Sequence, residues 1–574
     1  MYTREKIKKS IQKELEKATN LEITKKNLEK PPEPSMGDLS TSIAFKYAEK
    51  KEKDPVEAAE EIKKMINPNM IDKIETKGPY INFHVKKEKY YPEILKEAEQ
   101  KNYGKSSQGE GKTVIVEYSS PNIAKPFHIG HLRSTIIGES LKNIYKYLGY
   151  ETIAINHLGD WGTQFGKIIT AYNKWGDPEK LEKDPIQHLF DLYVKFHEEA
   201  EKNPEIEDEA RKNFKKLEDG AEREEKLWEK FRELSIKKFK ETYRRLGVEF
   251  DSYRGEAHYV RSGKSKQIVK EALEKNIAEK EEEGAIVIPL EEHGLTNMIV
   301  QKEDGATIYP TRDLAAAKHR WRENNFHENL YVVGSEQNLH FKQVFKTLEL
   351  LGYDWSDKCK HLSYGMVQLP EGSMSTRKGK VVKLEDVLDE AQERSIKAIE
   401  EKNPSLEDKE EVADEVGKAA LIFINLNQRK NKDIKFTWEK ALNFEGDTGP
   451  YLQYAHARAS GIIKETQGRE LEQTMKIKEI LKDEEISEET ENLIKKIAEF
   501  PEKIKESQEQ KEPQQITSYL VELSHKFMDF YRECPVKQEK NKKLKSIRLK
   551  TVKAFKNTLA RGLELLEIKP LEEM

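Results

Sequence analysis

The sequence predicts an α/β nucleotide-binding core built on parallel strands, with an α+β region before it and an all-helical region after it. Two observations carry this. Thr113-Val114-Ile115-Val116-Glu117-Tyr118 is a short β-branched run, followed by a loop, a helical pattern through Ile136, Leu141 and Tyr145, and a second strand-like run, Thr152-Ile153-Ala154-Ile155-Asn156. Strand, helix, strand is a βαβ unit, the seed of a parallel sheet whose ligands sit at the carboxyl ends of its strands. Beyond about residue 385 no convincing strand pattern occurs. Apolar residues there recur at helical spacing: Leu520, Leu523, Phe527 and Phe530, then Val552, Phe555, Leu559, Leu563 and Leu566. The length agrees, since 574 residues exceed one core at roughly 150 residues per domain.

Taken in order, residues 1–110 open with an amphipathic helix marked by Ile7, Ile11 and Leu15, turn at Pro31-Pro32-Glu33-Pro34, and end in the strand-like Tyr80-Ile81-Asn82-Phe83-His84-Val85. The polar stretch Gly104 to Gly111 reads as a linker. Residues 111–384 carry the α/β core, interrupted at about 175–285 by Lys/Glu-rich helices such as Glu198 to Arg245, an insertion between two halves of one sheet. The strand-helix pattern resumes at Met298-Ile299-Val300 and continues through Tyr331-Val332-Val333-Gly334 to Leu362–Leu369. Residues 385–574 form the helical region. No internal repeat or long low-complexity tract is evident.

Charged residues make up 36% of the chain, with Lys+Arg 101 against Asp+Glu 105 and a formal net charge of −4. This balance excludes a uniformly basic nucleic-acid coat and a uniformly acidic disordered tail, and leaves local patches open. In segment 537–561, eight Lys and two Arg oppose one Glu, a net of +9, the sign expected of a surface that meets a phosphate backbone. Cys359 and Cys534 are the only cysteines, too few for a disulfide framework or a Cys-x-x-Cys zinc site. The helix at Met1 to Leu15 lacks the apolar core of a signal peptide, and the best apolar run, Ala419 to Ile424, falls far short of the ~20 residues that span a bilayer. A soluble cytoplasmic protein without membrane contact is expected.

The chemistry concentrates between the first strand and its helix, in Glu117-Tyr118-Ser119-Ser120-Pro121-Asn122-Ile123-Ala124-Lys125-Pro126-Phe127-His128-Ile129-Gly130-His131. Free N–H groups and the dipole at a helix N-terminus favour phosphate there. His128 and His131 share one face of the first turn, and Gly130 removes a Cβ where a nucleotide comes close. Together with the Lys125 ammonium, two imidazole donors can stabilise charge developing on a triphosphate. A metal-binding His pair is the competing reading. No third ligand lies at metal spacing nearby, so no metal site is expected.

His-Ile-Gly-His after a first strand resembles the signature of class I aminoacyl-tRNA synthetases, and the longer string Ser119 to Arg133 closely resembles the arginyl-tRNA synthetase family. Asn156 to Gly166, Tyr309-Pro310-Thr311-Arg312-Asp313, Gln337-Asn338-Leu339-His340, Gly446 to Arg458 and Ala560-Arg561-Gly562-Leu563 agree. So do Gly37-Asp38 and Gly78 to Phe83, which resemble that family's N-terminal tRNA-binding extension. The resemblance covers essentially the whole chain. It implies a Rossmann-type class I catalytic domain with a helical insertion, an α+β N-terminal tRNA-binding domain and an all-helical C-terminal anticodon-binding domain. It also implies ATP-dependent activation of L-arginine to arginyl-adenylate and transfer to the 3′ end of tRNA(Arg). ATP would act as its magnesium complex, with no tightly bound cofactor, and a monomer is expected.

Carried over position by position, the resemblance implies Glu117, Asn122, Tyr309, Asp313 and Gln337 as the arginine-binding set. Arginine is a permanent cation with five donors in a planar fork. Asp313 suits the guanidinium bidentately, Tyr309 can cover it, and Asn122 and Gln337 can satisfy polar ends. Glu117 suits either the α-ammonium or the guanidinium; as simple structural readings, Glu117 pairs near a strand end and Tyr309 is a core aromatic. The family's Lys-Met-Ser-Lys-Ser loop corresponds to Ser373-Met374-Ser375-Thr376-Arg377-Lys378-Gly379, which has Thr376 where the second lysine belongs. The resemblance then implies that Lys125 supplies the missing charge, with Arg377 and Lys378 assisting, so that Lys125, His128, His131, Arg377 and Lys378 form the catalytic set. Gly130 and the backbone of Gly365, Met366 and Val367 are expected at ATP. Tyr80, Asn82, Tyr451 and Arg458 are expected at tRNA. A nucleotidyltransferase of the same superfamily, or a non-catalytic tRNA-binding paralogue, remain the alternatives.

Overall fold

The computed structural model describes residues 1–24, 27–368, 382–466 and 477–574. The N-terminal region begins with α1 (Thr3–Thr19), whose Ile7, Ile11 and Leu15 are buried as their spacing predicts. It shares a core with an antiparallel sheet of β1 (Leu39–Thr41), β2 (Ile71–Lys77) and β3 (Tyr80–Val85), with β3 in the middle. Ion pairs fasten this region to the C-terminal helices: Lys8–Glu502 at 2.6 Å, Arg4–Glu502 at 3.4 Å, Lys495–Asp38 at 2.8 Å, and Lys505–Glu5. The stretch Gly104 to Gly111 is packed rather than the free linker its composition predicts. A Cβ at Gly104 would meet Ile504 at 2.7 Å, and one at Gly109 would meet the Tyr150 ring at 2.2 Å.

β4 (Thr113–Glu117), α2 (Ile129–Tyr147) and β5 (Glu151–Ile155) form the expected βαβ unit, with β4 and β5 parallel from Thr113↔Glu151 to Glu117↔Ile155. The insertion contributes α3 (Glu222–Leu246). It is followed by a separate antiparallel sheet of β6 (Glu279–Lys280), β7 (Ile286–Ile288) and β8 (Met298–Gln301). Met298-Ile299-Val300, expected in the parallel sheet, belongs here: period-two alternation defines a strand but not its partner. The parallel sheet is completed by α4 (Tyr309–Asn324), β9 (Glu328–Tyr331), α5 (Asn338–Leu350) and β10 (Cys359–His361), in the order β10-β9-β4-β5. Val114 and Val116 face the core that holds α2, while Ile115 faces a second core with Leu314, Phe341 and Val344 of α4 and α5.

The strand read over Leu362 to Leu369 is displaced. β10 ends at His361, and β11 (Val367–Gln368) pairs instead with β12 (Ile434–Lys435), a strand lying beyond residue 385 where none was expected. Two residues cannot show alternation. The remainder is helical, including α6 (Leu384–Lys402), α7 (Gly449–Thr466) and α8 (Lys542–Leu565), with Val552, Phe555, Leu559 and Leu563 of α8 buried and Phe527 stacked on Phe555 at 3.9 Å. The +9 stripe around α8 is partly neutralised. Lys537, Lys543, Arg548, Lys556 and Arg561 each hold an acidic partner within 3.0 Å. Both cysteines are buried and unpaired. Among the described residues no helix is long and apolar enough to cross a membrane.

Candidate active site

The loop leaving β4 is held in a sterically costly form. Ser119, Ser120 and Ala124 have φ of 70°, 47° and 59°, a left-handed conformation that non-glycine residues adopt at a cost of order 1–3 kcal/mol each. Packing over-determines it. Ser134 accepts from the Ser119 N–H at 3.0 Å, the Ser119 hydroxyl lies 2.7 Å from the Tyr243 hydroxyl, and Ser235 accepts from the Ala124 N–H at 3.0 Å. Ser235 and Tyr243 both sit on α3, so the insertion buttresses the loop.

The loop delivers His128 to the N-cap of α2 and His131 to its third position. There they form a capping box of imidazoles: His128 Nδ1 accepts from the Gly130 N–H and His131 Nδ1 from the His128 N–H, each at 3.1 Å. Nδ1 acceptance puts the ring proton on Nε2. The rings lie 3.8 Å apart. Burial, then the Lys125 charge, lowers the His128 pKa to about 4, and burial followed by His128 keeps His131 well below the usual histidine range. Both imidazoles are therefore neutral Nε2–H donors near pH 7. Lys125, part-buried, holds its ammonium 5.0 Å from the centroid of the Tyr193 ring in the insertion. Beside this turn, Ile129 donates to the Val382 carbonyl at 3.3 Å and Leu384 to the Phe127 carbonyl at 2.9 Å. Arg377 and Lys378 lie outside the described residues; Val382 to Leu384 lie against the histidine turn.

Around the carboxyl ends of β4, β5 and β9 the structure gathers Glu117, Asn122, His157, Tyr309, Asp313 and His340. Tyr309 opens α4 and is exposed; Asp313 lies one turn on. Burial alone would raise the Asp313 pKa, but the hydrogen bond from His340 Nε2 at 2.6 Å, with the charges of His340 and His157, holds it below the usual carboxylate range. His157 Nε2 lies 3.7 Å from the other Asp313 oxygen, and the His340 ring packs on Tyr309 at 4.8 Å. Asn122 forms a parallel bridge with Gly159, where a Cβ would come within 2.1 Å of the Asn122 Oδ1. Gln337 is exposed in the turn before α5. Glu117 is buried and ion-paired with Arg320 of α4 at 2.5 Å, so the simpler expectation of a pair near the strand end describes one of its oxygens. No local pattern in the sequence marks His157, His340 or Arg320 for this pocket.

Other expected residues are redistributed. The Gly365 N–H and C=O are taken by the Lys430 carbonyl and by Arg133, and those of Met366 by the Asp433 carboxylate and the Ile434 N–H. Two of the three residues expected to offer backbone to adenine thus spend it internally. Buried Arg133 bridges the Gly365 and Lys430 carbonyls at 2.9 and 3.0 Å, tying α2 to this segment, and burial lowers its pKa to about 10. Tyr80 is 49% exposed and meets Phe45 edge-on at 5.9 Å, whereas Asn82, at 4%, is buried in the central strand. Tyr451, at 6% exposure, packs beside His525. Arg458 lies 4.6 Å from the ring centroids of both Tyr454 and Tyr531.

A parallel sheet with a histidine capping box at the start of the helix after its first strand is the catalytic architecture of class I aminoacyl-tRNA synthetases. The family of class I tRNA synthetases for arginine, catalytic domain, matches residues 92–438; the arginyl tRNA synthetase N terminal domain matches 5–85 and the DALR anticodon binding domain 452–574. The arginine–tRNA ligase of Clostridium beijerinckii is 46% identical over 576 residues, covering 100% of both chains, and that of Halothermothrix orenii is 46% identical over 563 residues and 97% of each. Among solved structures, the arginyl-tRNA synthetase of Thermus thermophilus superposes with a TM-score of 0.82 at 26% identity over 100% of both chains. That of Plasmodium falciparum gives 0.80 at 26% over 99% of each. The chain belongs to the arginyl-tRNA synthetase family.

Proposed function

We infer that this protein activates L-arginine with ATP, supplied as its magnesium complex, and transfers the arginyl group to the 3′ end of tRNA(Arg) in the cytoplasm. The arginine carboxylate attacks the α-phosphorus and pyrophosphate leaves; the terminal ribose hydroxyl of the tRNA then attacks the adenylate carbonyl, losing its proton as AMP departs. No side chain needs to exchange a proton in the first step, so positioning and charge stabilisation carry the rate.

The observation that supports this best is the imidazole capping box. Its two Nε2–H groups donate to phosphate oxygens without carrying a charge of their own, and Lys125 provides the cation beside them, joined by Arg377 and Lys378. Gly130 and the backbone of Val367 flank the nucleotide. Asp313, oriented by His340, takes the arginine guanidinium as a fork, and Tyr309 covers it. Glu117 closes the floor of the pocket, while Asn122 and Gln337 meet the α-amino acid end. Exposed Tyr80 and half-buried Arg458 serve the tRNA. The test is aminoacylation of total tRNA with each amino acid in turn: arginine alone should be incorporated, with ATP consumed. Incorporation of another amino acid, or tRNA binding without any, would refute the reading.

A further inference from the structure

We propose that Arg320 is a positioning residue for arginine recognition, acting through Glu117; the proposal rests on the place given to Glu117 in the pocket above. Arg320 and Glu117 are 2% and 4% exposed, and Arg320 Nη2 lies 2.5 Å from Glu117 Oε2. The guanidinium sits 5.5 Å from the centroid of the Tyr331 ring, and Tyr331 is the register partner of Glu117 across β4 and β9. The cation is thus seated on the residue beside the carboxylate it holds.

Helical geometry relates this pair to the rest of the pocket. Tyr309, Asp313 and Arg320 occupy one stripe of α4, because eleven residues at about 100° each return to within roughly 20° of the start. One helix therefore presents a carboxylate to the incoming guanidinium and, two turns further on, a guanidinium of its own to the second carboxylate. Stability does not explain such a pair, since buried ion pairs are often replaceable by apolar residues without loss. A buried carboxylate without a cation takes up a proton or turns towards water. Arg320 keeps the carboxylate turned inward, holding Oε2 by charge and leaving Oε1 to the substrate.

The experiment is steady-state aminoacylation of tRNA(Arg), with KM for arginine and for ATP measured separately, in Arg320→Met, Arg320→Lys, Glu117→Gln and the Glu117→Gln/Arg320→Met double variant. Arg320→Met should raise the arginine KM at least about 30-fold, the lower end of the cost of truncating one partner of a buried charge pair, with the ATP KM within about twofold. Arg320→Lys should recover most of this. In the Glu117→Gln background, Arg320→Met should add little. Equal effects of Arg320→Met with and without Glu117, or a parallel rise in both KM values, would overturn the role of Arg320. Glu117→Gln with an unchanged arginine KM would instead overturn the assignment of Glu117. Should Arg320→Met not fold, the charge-neutral double variant and Arg320→Lys carry the comparison: the double variant should match Glu117→Gln, and a further loss in it would refute the proposal.

Discussion

Replacing Glu567 with Gln should stabilise the protein above neutral pH and leave it unchanged below about pH 4. Glu567 lies just past α8, at the junction of three segments: Asn143 of α2 donates to it at 3.0 Å, and a Cβ at Gly247, just beyond α3, would come within 2.5 Å of its Oε1. Burial, then the charge of Glu139, pushes its carboxyl from 4.5 up to about 7; Lys142 opposes and Glu415 adds to the repulsion. The folded pKa is raised, so the stabilising contribution is fully present below the unfolded value of 4.5 and is lost as pH rises through about 7. At about 1.36 kcal/mol per pK unit, the loss approaches roughly 3 kcal/mol by pH 8. An unfolding entropy near 2.1 cal/mol/K per residue makes that a melting shift of about 2–3 °C for a chain of this length. Thermal melts of both proteins from pH 5 to 8.5 should therefore diverge, with the Gln variant higher at the alkaline end. Melting temperatures that run parallel across this range would refute the assignment of a protonated Glu567.

Three further outcomes follow from the site. Lys125→Ala and His131→Ala should each slow adenylate formation by two or more orders of magnitude, of the order seen when a transition-state donor is removed, with circular dichroism unchanged; near-normal turnover would remove that residue from the catalytic set. With the His128 pKa at about 4, kcat/KM for ATP should show no break assignable to this imidazole between pH 6 and 8, and a Lys125→Ala break that moves upward towards the ordinary histidine range would confirm the charge coupling. Gly159→Ala should displace the Asn122 amide, 2.1 Å from the new Cβ, raising the arginine KM with little change for ATP, as isothermal titration with each substrate would report.

The βαβ seed and the histidine turn were legible because they are local: each rests on periodicity or spacing within about twenty residues. What was not legible depends on distant partners. The exclusion of Met298-Ile299-Val300 from the parallel sheet is a matter of pairing with Ile286–Ile288, which alternation does not encode. β11 and β12 are too short to carry a pattern at all. Asp313 on α4, His340 on α5 and His157 just after β5 meet only once the sheet is assembled, and Glu117 finds Arg320 across most of the catalytic region. The burial of Asn82 and Tyr451 was not legible for a related reason. A polar or phenolic side chain within an apolar run has no local signal that distinguishes a surface contact from a buried one.

The ion pairs joining Arg4, Glu5 and Lys8 to Glu502 and Lys505 connect residues separated by nearly the whole chain. On the ribosome, at about 5–20 residues per second, the first helix emerges roughly half a minute or more before its partners exist. During that interval its charged edge faces water, and its domain must persist on its own core of Ile7, Ile11, Leu15 and the sheet beneath. The helix Phe500–Gln510, made late in synthesis, then closes on the first, so a nascent chain arrested before residue 500 would lack the ion-pair partners of its first helix.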